Sequence, residues 1–365
     1  MNRRRICFVT GTRAEYGLMQ STLRAIAAHS NLQLQIVATG MHLDRRRGSS
    51  KRTIDFDVDR IVPWRPTDPV ACATGRAMAG LADAFEELRS DIILIVGDRV
   101  EAFAAASAAH LSGRIVAHVH GGDRALGQVD DALRHAITKL SHVHFPATGQ
   151  SADRIMKLGE DRWRVHRVGS PGIDGIVKDA VRAHDLKPHT YALLVLHPID
   201  KDEQLEHRRA RMTLRAIELA DVKQIVIVYP NNDPGSNGII RAWEELTLSD
   251  SIAIHRNVAR PAFLGLMRDA AVLVGNSSSG IIEAASFGTP VVDIGARQFG
   301  RERSTYVMNV PYSAAAITRA VRRAIRDPRP LRRNVYGGQG TATRIAGVLA
   351  AIRLDDRMRR KLIVY

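Results

Sequence analysis

Short apolar runs rich in valine, isoleucine and leucine recur along the chain, and each is followed by a turn and a segment with helical periodicity. The runs predict strands at residues 6–10, 34–40, 92–98, 114–122, 191–198, 224–233, 251–257, 271–278 and 290–295. Helical periodicity is clearest at residues 18–29, 76–89, 100–111 and 212–220. Strands that are apolar throughout and alternate with helices are typical of parallel sheets covered on both faces. The pattern therefore predicts an α/β fold class with two doubly wound domains.

A polar stretch at residues 176–190, with Pro188 just before a new apolar strand, marks the best boundary between these domains. The chain has 365 residues, which is more than one hydrophobic core commonly organises. We expect a first domain at 1–178, a second at 189–345, and a C-terminal helix or tail at 346–365 that packs back on the first domain. Ligands bind at the carboxyl ends of strands in such sheets, so the expected site is the cleft between the domains.

Composition excludes several classes of protein. No run of eighteen apolar residues is present, so we expect no membrane span. The two cysteines, Cys7 and Cys72, lack the spacing of a disulfide framework or a zinc site, which fits a reducing cytoplasm. The net charge is +15, but aromatic residues make up only 5% and do not interleave with the basic cluster at 45–52. A nucleic-acid partner is therefore not expected, and the charge indicates either a solvated basic surface or attraction of an anionic substrate.

Two turns between strand and helix have the composition of phosphate sites. GTRAEYG at 11–17 offers Gly11, backbone N–H groups at a helix start, and Arg13 as an additional donor. It lacks the GxGxxG dinucleotide fingerprint, and an ordinary turn remains an equal alternative. GNSSSGIIEAASFGTPVVDIG at 275–295 is more specific, because Ser277 and Ser278 lie where a diphosphate binds and Glu283 is positioned for a ribose. Helix capping and a favourable helix-dipole contact are the alternative roles.

The stretch HVHGGDRALGQVDDALRH at 118–135 is dense in ionisable groups. His118 and His120 alternate on a predicted strand and should share a face, which resembles the HxHxDH pattern of binuclear metallohydrolases. The adjacent Asp-His and a further ligand set are missing, so a metal site is the weaker interpretation. Asp131 and Arg134, three residues apart at a predicted helix start, form a surface ion pair or, if this helix end faces the cleft, an acid/base group with the arginine that orients it.

Two further ionisable residues end predicted strands. Asp98 closes the run IILIVGD, where a carboxylate is either catalytic or caps the next helix. His197 closes LLVLHP at the start of the second domain, where an imidazole suits proton transfer or contact with a phosphate. A structural histidine is the alternative.

Taken together, these motifs resemble the hydrolysing UDP-N-acetylglucosamine 2-epimerase family, most closely the branch that serves sialic, legionaminic and related nonulosonic acids. The resemblance covers residues 6 to 345 in collinear order and is most specific in the DDxxRHxITKLSH and GNSS–G–E–FGTP blocks. It implies two Rossmann-like domains of the glycosyltransferase-B type that face a nucleotide-sugar cleft. It also implies a cytoplasmic homodimer that needs neither a metal nor a redox cofactor.

The reaction implied by the resemblance is anti elimination of the nucleoside diphosphate to a glycal, followed by hydration to N-acetylmannosamine or an analogue. The family's catalytic positions fall on Asp98, His120, Asp131, Arg134 and His197. Its nucleotide and substrate positions fall on Arg13, Asn231, Asp233, Asn257, Ser277, Ser278, Glu283 and Arg297. His120 stands where many members have glutamate, which leaves both the acid/base group and the substrate open.

UDP-N-acetylglucosamine is the first substrate that the resemblance implies, and a GDP- or UDP-linked 2,4-diacetamido-trideoxy sugar is the alternative. Two other functions remain possible from the sequence. One is a glycosyltransferase of the same fold, which requires an acceptor, and the other is a nucleotide-sugar-binding protein without catalysis.

Overall fold

The computed structural model describes residues 3–43, 54–65, 67–124, 129–182, 185–230, 233–246, 251–329 and 334–364. The chain divides into two compact units. The first unit consists of Met1–Asp174 together with Tyr336–Tyr365, and the second is Gly175–Val335. Both units are built on a six-stranded sheet.

The first unit has a parallel sheet in the order β3-β2-β1-β4-β5-β6. Its strands are β1 (Arg4–Thr10), β2 (Leu32–Ala38), β3 (Arg60–Ile61), β4 (Ile92–Val96), β5 (Ile115–Val119) and β6 (Val143–Phe145). The helices that follow them are α1 (Arg13–Ala28), α2 (Val70–Glu87), α3 (Val100–Leu111), α4 (Val129–Leu140) and α5 (Gly149–Lys157). Every residue of β4, β5 and β6 is buried, as expected for a sheet with helices on both faces.

The second unit repeats this design with a parallel sheet in the order β12-β11-β10-β7-β8-β9. Its strands are β7 (Tyr191–Val195), β8 (Gln224–Val228), β9 (Ile252–His255), β10 (Val272–Gly275), β11 (Val291–Ile294) and β12 (Val307–Val310). Its helices are α6 (Ile176–Asp179), α7 (Glu203–Glu218), α8 (Ser236–Glu244), α9 (Arg260–Asp269), α10 (Ser278–Ile282) and α11 (Ala314–Arg326). Counted within each unit, both sheets have the strand order 3-2-1-4-5-6 of the Rossmann fold.

The last helices, α12 (Thr341–Ala351) and α13 (Asp356–Arg359), belong to the first unit. Helix α12 packs on α1, and its Ile345 and Leu349 are fully buried in the first unit's core. Residues 336–345 were predicted to belong to the second domain, but they are part of the first unit. The difference arises because the chain returns to the first unit before α12, at a boundary that carries no apolar signal.

Hydrogen bonds and an ion pair hold α13 and the two residues after it against the rest of the first unit. The buried guanidinium of Arg164 donates to the carbonyls of Arg357, Met358 and Arg360 at 2.8 to 2.9 Å. The ammonium group of Lys361 lies 2.8 Å from a carboxylate oxygen of Glu160 and also donates to carbonyls at the end of α4.

The nine predicted strands are all present, and the predicted pair of doubly wound sheets is confirmed. Strands β3, β6 and β12 were not predicted. Among the described helices, none is long and apolar enough to cross a bilayer. Both cysteines are free thiols, and Cys7 is fully buried in β1.

Candidate active site

An ion pair between Asp98 and Arg134 lies at the carboxyl edge of the first sheet. Asp98 follows β4 after Gly97, whose φ of +79° turns the chain out of the sheet. Arg134, on α4, is only 3% exposed, and its guanidinium contacts the Asp98 carboxylate. Its Nη1 also donates to the backbone carbonyl of His120 at 3.3 Å. One buried guanidinium therefore joins the residues that follow β4 and β5.

The role predicted for Arg134 was to orient Asp131, but the structure places its guanidinium on Asp98. Asp131 lies one turn before His135 on α4, and their side chains are 3.4 Å apart. The Asp131 side chain is partly exposed, with 26% of its surface accessible to solvent.

His120 is held at both ring nitrogens. Its Nδ1 lies 2.9 Å from Oδ2 of Asp123, and its Nε2 lies 3.0 Å from Oγ of Ser170. Ser151 donates to the other carboxylate oxygen of Asp123 at 2.8 Å. All four residues are buried, so the imidazole is part of a continuous hydrogen-bonded chain screened from water. The orientation of the His120 ring is therefore fixed from both sides.

The backbone at His120 is left-handed, with φ of +64°, a conformation that is uncommon for residues other than glycine. Strand β5 ends at Val119, so the expectation that His118 and His120 share one face of a strand is wrong. The turn at His120 aims its ring at Asp123 and Ser170. Strain of this kind is characteristic of functional positions.

His118 has a structural environment of its own. Its Nε2 lies 2.7 Å from the carbonyl of Gly97, and its Nδ1 lies 3.4 Å from Oγ1 of Thr138. Burial lowers the pKa of His118 to about 3, so the ring is neutral at physiological pH. Within the described ranges, no three His, Cys, Asp or Glu side chains are grouped to hold a metal ion. The metallohydrolase hypothesis therefore gains no support from these residues.

The turn after β1 is less open to an anion than its sequence suggested. The N–H of Gly11 donates to Oε2 of Glu15 at 2.9 Å, so it is already bonded within the turn. A Cβ at Gly11 would lie 2.9 Å from Cβ of the buried Glu101, so glycine is required there. Burial and the neighbouring Glu101 raise the pKa of Glu15 to about 7. The side chain of Arg13 lies outside the described residues.

In the second unit, the serine-rich turn after β10 begins a short helix. Oγ of Ser277 accepts the N–H of Ser279 and lies 2.9 Å from the Ser279 hydroxyl. Ser277 and Ser278 are both half-buried at the start of α10. Helix α10 itself ends at Ile282, immediately before Glu283. The two hydroxyls predicted to bind a diphosphate thus lie on a turn at the carboxyl edge of the second sheet.

Glu283 is buried just after α10, and Oε1 of its carboxylate lies 2.9 Å from Nη1 of Arg260. Burial raises the pKa of Glu283 although Arg260 opposes the rise. Arg260 was not predicted as a partner of Glu283, because these two residues are far apart in the chain. This pair provides a carboxylate with a fixed orientation near the serine turn.

His197 and Arg297 both contact Asn276, which follows β10. The backbone of His197 exchanges two hydrogen bonds with the Asn276 side chain, and Nη1 of Arg297 donates to the Asn276 carbonyl at 3.2 Å. Arg297 also lies 3.6 Å from the carboxylate of Asp233. The structure therefore brings His197, Arg297 and Asp233 close to the serine turn.

Two other predicted binding residues are less informative. Asn257 is exposed after β9. Asn231 lies outside the described residues.

Several residues of the site were not predicted from the sequence. They are Asp123 and Ser170 beside His120, Arg260 beside Glu283, and Asn276 beside His197. Of these, only Asp123 and Asn276 stood within motifs already singled out.

Comparison with known proteins gives one consistent family. Residues 24–350 match the family model described as UDP-N-acetylglucosamine 2-epimerase. The chain is 36% identical to a UDP-N,N'-diacetylbacillosamine 2-epimerase (hydrolyzing) of Legionella pneumophila, over 99% of this chain and 100% of that protein. It is 31% identical to a UDP-N-acetylglucosamine 2-epimerase of Neisseria meningitidis, over 88% of this chain and 87% of that protein.

The fold agrees with this result. The crystal structure of UDP-GlcNAc 2-epimerase from Neisseria meningitidis bound to UDP-GlcNAc matches with a TM-score of 0.81 and 18% identity, over 94% of this chain and 99% of that one. The predicted fold class, two Rossmann-like units of the glycosyltransferase-B type, is confirmed. The predicted family is confirmed as well: the chain belongs to the UDP-N-acetylglucosamine 2-epimerase family.

Proposed function

We propose that this protein is a hydrolysing 2-epimerase that converts a UDP-linked N-acetylated aminosugar and water into UDP and the free 2-epimeric sugar. The observation on which the proposal rests is the set of paired acid/base groups at the carboxyl edge of the first sheet. Arg134 joins Asp98 to the turn at His120, and His120 is bonded to Asp123 and Ser170. Such paired titratable groups are typical of sites that move protons.

The first step breaks two bonds of the sugar. A base removes the proton from C2, the electrons of the C–H bond form a double bond to C1, and the C1–O bond breaks as the nucleoside diphosphate leaves. In the second step, the double bond takes up a proton at C2, and water adds its oxygen to C1 and gives up its second proton. The sum consumes one water and involves no change of oxidation state, so the proposal needs no redox cofactor.

Inversion at C2 requires one group to remove the proton from one face and another to deliver a proton to the opposite face. We assign removal to Asp98, which Arg134 orients. We assign delivery to His120 with Asp123, because the imidazole is held between a carboxylate and a hydroxyl. Asp131, with its partly exposed carboxylate, accepts the proton of the attacking water. In this scheme an imidazole paired with aspartate takes the place of the glutamate found in many relatives.

The second unit binds the nucleotide in this proposal. Ser277 and Ser278 donate to the diphosphate, and His197 and Arg297 stabilise its charge as it leaves. Glu283, fixed by Arg260, accepts from the ribose hydroxyls. The relative from Neisseria meningitidis, solved with UDP-GlcNAc, supports a nucleotide-sugar ligand for this fold. Arg13, Asn231, Asp233 and Asn257 remain predicted contacts of the same substrate.

The test is a product analysis by nuclear magnetic resonance in heavy water. Purified protein is incubated with UDP-N-acetylglucosamine, with its 2,4-diacetamido-trideoxy analogue, and with the GDP-linked analogue. We expect free UDP and a 2-epimeric sugar that carries deuterium at C2. Release of nucleotide with the original hydrogen retained at C2 contradicts the elimination. Turnover only after addition of a sugar acceptor identifies a glycosyltransferase instead.

A second candidate for the substrate has specific support. The Legionella pneumophila relative, named for UDP-N,N'-diacetylbacillosamine, matches this chain over the full length of both proteins. We therefore propose the UDP-linked 2,4-diacetamido-trideoxy sugar as the preferred substrate. The measurement is kcat/KM for both UDP sugars in one preparation. A higher kcat/KM for UDP-N-acetylglucosamine reverses the preference and leaves the reaction unchanged.

A further inference from the structure

Asn276 is fully buried immediately after β10, and its side chain continues the pairing between β10 and β7. The N–H of His197 donates to Oδ1 of Asn276 at 2.7 Å, and Nδ2 of Asn276 donates back to the carbonyl of His197 at 2.8 Å. This two-way exchange resembles the contact between adjacent strands. It fixes the backbone of His197 where β7 itself has ended.

The backbone carbonyl of the same residue holds the turn after β11. It accepts from Nε2 of Gln298 at 2.9 Å and from Nη1 of Arg297 at 3.2 Å. Gln298 is buried, so this contact is screened from water. Asn276 therefore contacts the backbone of His197 and the side chain of Arg297, the two residues to which we assign stabilisation of the diphosphate charge.

The amide is the one side-chain chemistry that fits this position. It supplies a donor and an acceptor together, whereas aspartate has no donor and leucine has neither. The neighbouring Gly275 permits the close approach, since a Cβ there would lie 1.9 Å from the carbonyl oxygen of Val195. Gly275 and the side chain of Asn276 thus hold the ends of β7 and β10 close to each other.

We propose that the side chain of Asn276 is a positioning group that holds His197 in the geometry that binds the nucleoside diphosphate. The inference rests on the proposed function, which assigns nucleotide binding to the second unit. Because Asn276 is fully buried, its side chain acts through His197 rather than by touching the substrate.

The test is a double-mutant cycle on the dissociation constant of UDP, measured by calorimetry with the full-length protein. We compare His197→Ala, Asn276→Leu and the double variant with the wild type. Each single change is expected to weaken UDP binding about tenfold. If Asn276 acts through His197, the double variant stays within about threefold of His197→Ala alone. Losses that multiply to about a hundredfold, or an unchanged affinity of Asn276→Leu, overturn the proposal.

A matched control separates positioning from general loss of stability. Thr289 is fully buried in the same unit, and its hydroxyl donates to the carbonyl of Met267 at 2.8 Å. Thr289→Val removes this hydrogen bond and the one that Nη2 of Arg329 donates to the same hydroxyl at 3.0 Å, and it is expected to lower Tm without changing UDP affinity. If Asn276→Leu does not fold, Asn276→Ser takes its place in the cycle, with the same criterion.

UDP binding requires no turnover, so this experiment and the product analysis fail separately. A wild-type protein that binds UDP without releasing a sugar contradicts the proposed reaction and leaves the positioning role supported by a coupled cycle. A wild-type protein that binds no nucleoside diphosphate overturns both.

Discussion

The two units share one strand order but carry different chemistry at the carboxyl edges of their sheets. In the first, ionisable side chains are paired with one another: Asp98 contacts the buried Arg134, and the buried His120 contacts Asp123. In the second, hydroxyls and an amide dominate, and Asn276 holds His197 through its backbone. The Rossmann fold decides where a site forms, and the turns decide whether the site moves protons or binds an anion.

The largest effect that follows from this contrast is expected at Asp98. Asp98→Asn keeps the size of the side chain but removes its ability to take a proton, so kcat should fall about a thousandfold or more. UDP affinity should stay within about threefold, because the nucleotide is assigned to the other unit. Steady-state kinetics measures kcat, and calorimetry measures the dissociation constant of UDP.

Asp91 provides the matched control, since it immediately precedes β4 whereas Asp98 follows it. Its carboxylate accepts the N–H of Arg5 at 2.8 Å. Asp91→Asn should leave kcat unchanged. Equal activity of the two variants would mean that the first unit is not the one that moves protons.

A smaller effect, on stability, is expected at Glu15 in the first unit. Its pKa is raised from 4.5 to about 7 by burial and by Glu101. The folded state therefore binds this proton more tightly than the unfolded state, and the stabilisation present below pH 4.5 is lost as the pH rises through 7. Glu15→Gln, which stays neutral, should exceed the wild type in free energy of unfolding by about 1 to 2 kcal/mol at pH 8.

Urea denaturation at pH 5 and pH 8 measures this difference, and the advantage of Glu15→Gln should be much smaller at pH 5. Glu86→Gln is a suitable control, because 78% of that side chain is exposed. A Glu15→Gln protein whose advantage is the same at both values of pH would show that Glu15 does not titrate between them.

The corresponding carboxylate in the second unit is Glu283, which is buried and paired with Arg260. Glu283→Gln should weaken UDP binding about tenfold, because an amide bonds the ribose hydroxyls and Arg260 less strongly than a carboxylate does. Glu245→Gln, on an exposed pair with His207, should not change UDP affinity. A Glu283→Gln protein that loses Tm but keeps its UDP affinity would assign this carboxylate to structure alone.

The smallest effect is expected at a helix cap that takes no part in the site. Asp202 accepts the N–H groups of Gln204 and Leu205 at the start of α7, at 2.8 and 3.1 Å. Asp202→Ala should cost about 1 kcal/mol of free energy of unfolding. Turnover and UDP affinity should match the wild type in kinetic and calorimetric measurements. A change in UDP affinity would extend the binding region of the second unit to α7.

Hydrophobic periodicity predicted the strands that are continuously apolar, and it missed those that are short or polar. Strand β6 contains His144, whose burial depends on an imidazole nitrogen 3.1 Å from a carboxylate oxygen of Glu160. Strand β3 has two residues, and both are exposed. Neither strand produces a run of apolar residues, so sequence periodicity alone does not identify it.

The site residues also divide into those that the sequence predicts and those that it does not. Motifs at strand ends located Asp98, His120 and His197, because parallel strands place such residues at one edge of each sheet. The partners that fix them were not predictable from spacing. Ser170 is 50 residues from His120 in sequence, and the contact exists only after β6 and the turn beyond it have packed. Asp98 was likewise not predicted as a partner of Arg134. Asp131 was favoured because it lies near Arg134 along α4, whereas Asp98 follows β4.

The return of the chain to the first unit has a consequence for the order of folding during synthesis. Residues 175–335 are contiguous, so the second unit has its whole core available as soon as those residues leave the ribosome. The first unit starts earlier but waits for α12, whose Ile345 and Leu349 complete its core. We therefore expect the later-synthesised unit to be the first to reach its native state, with the first unit completed last.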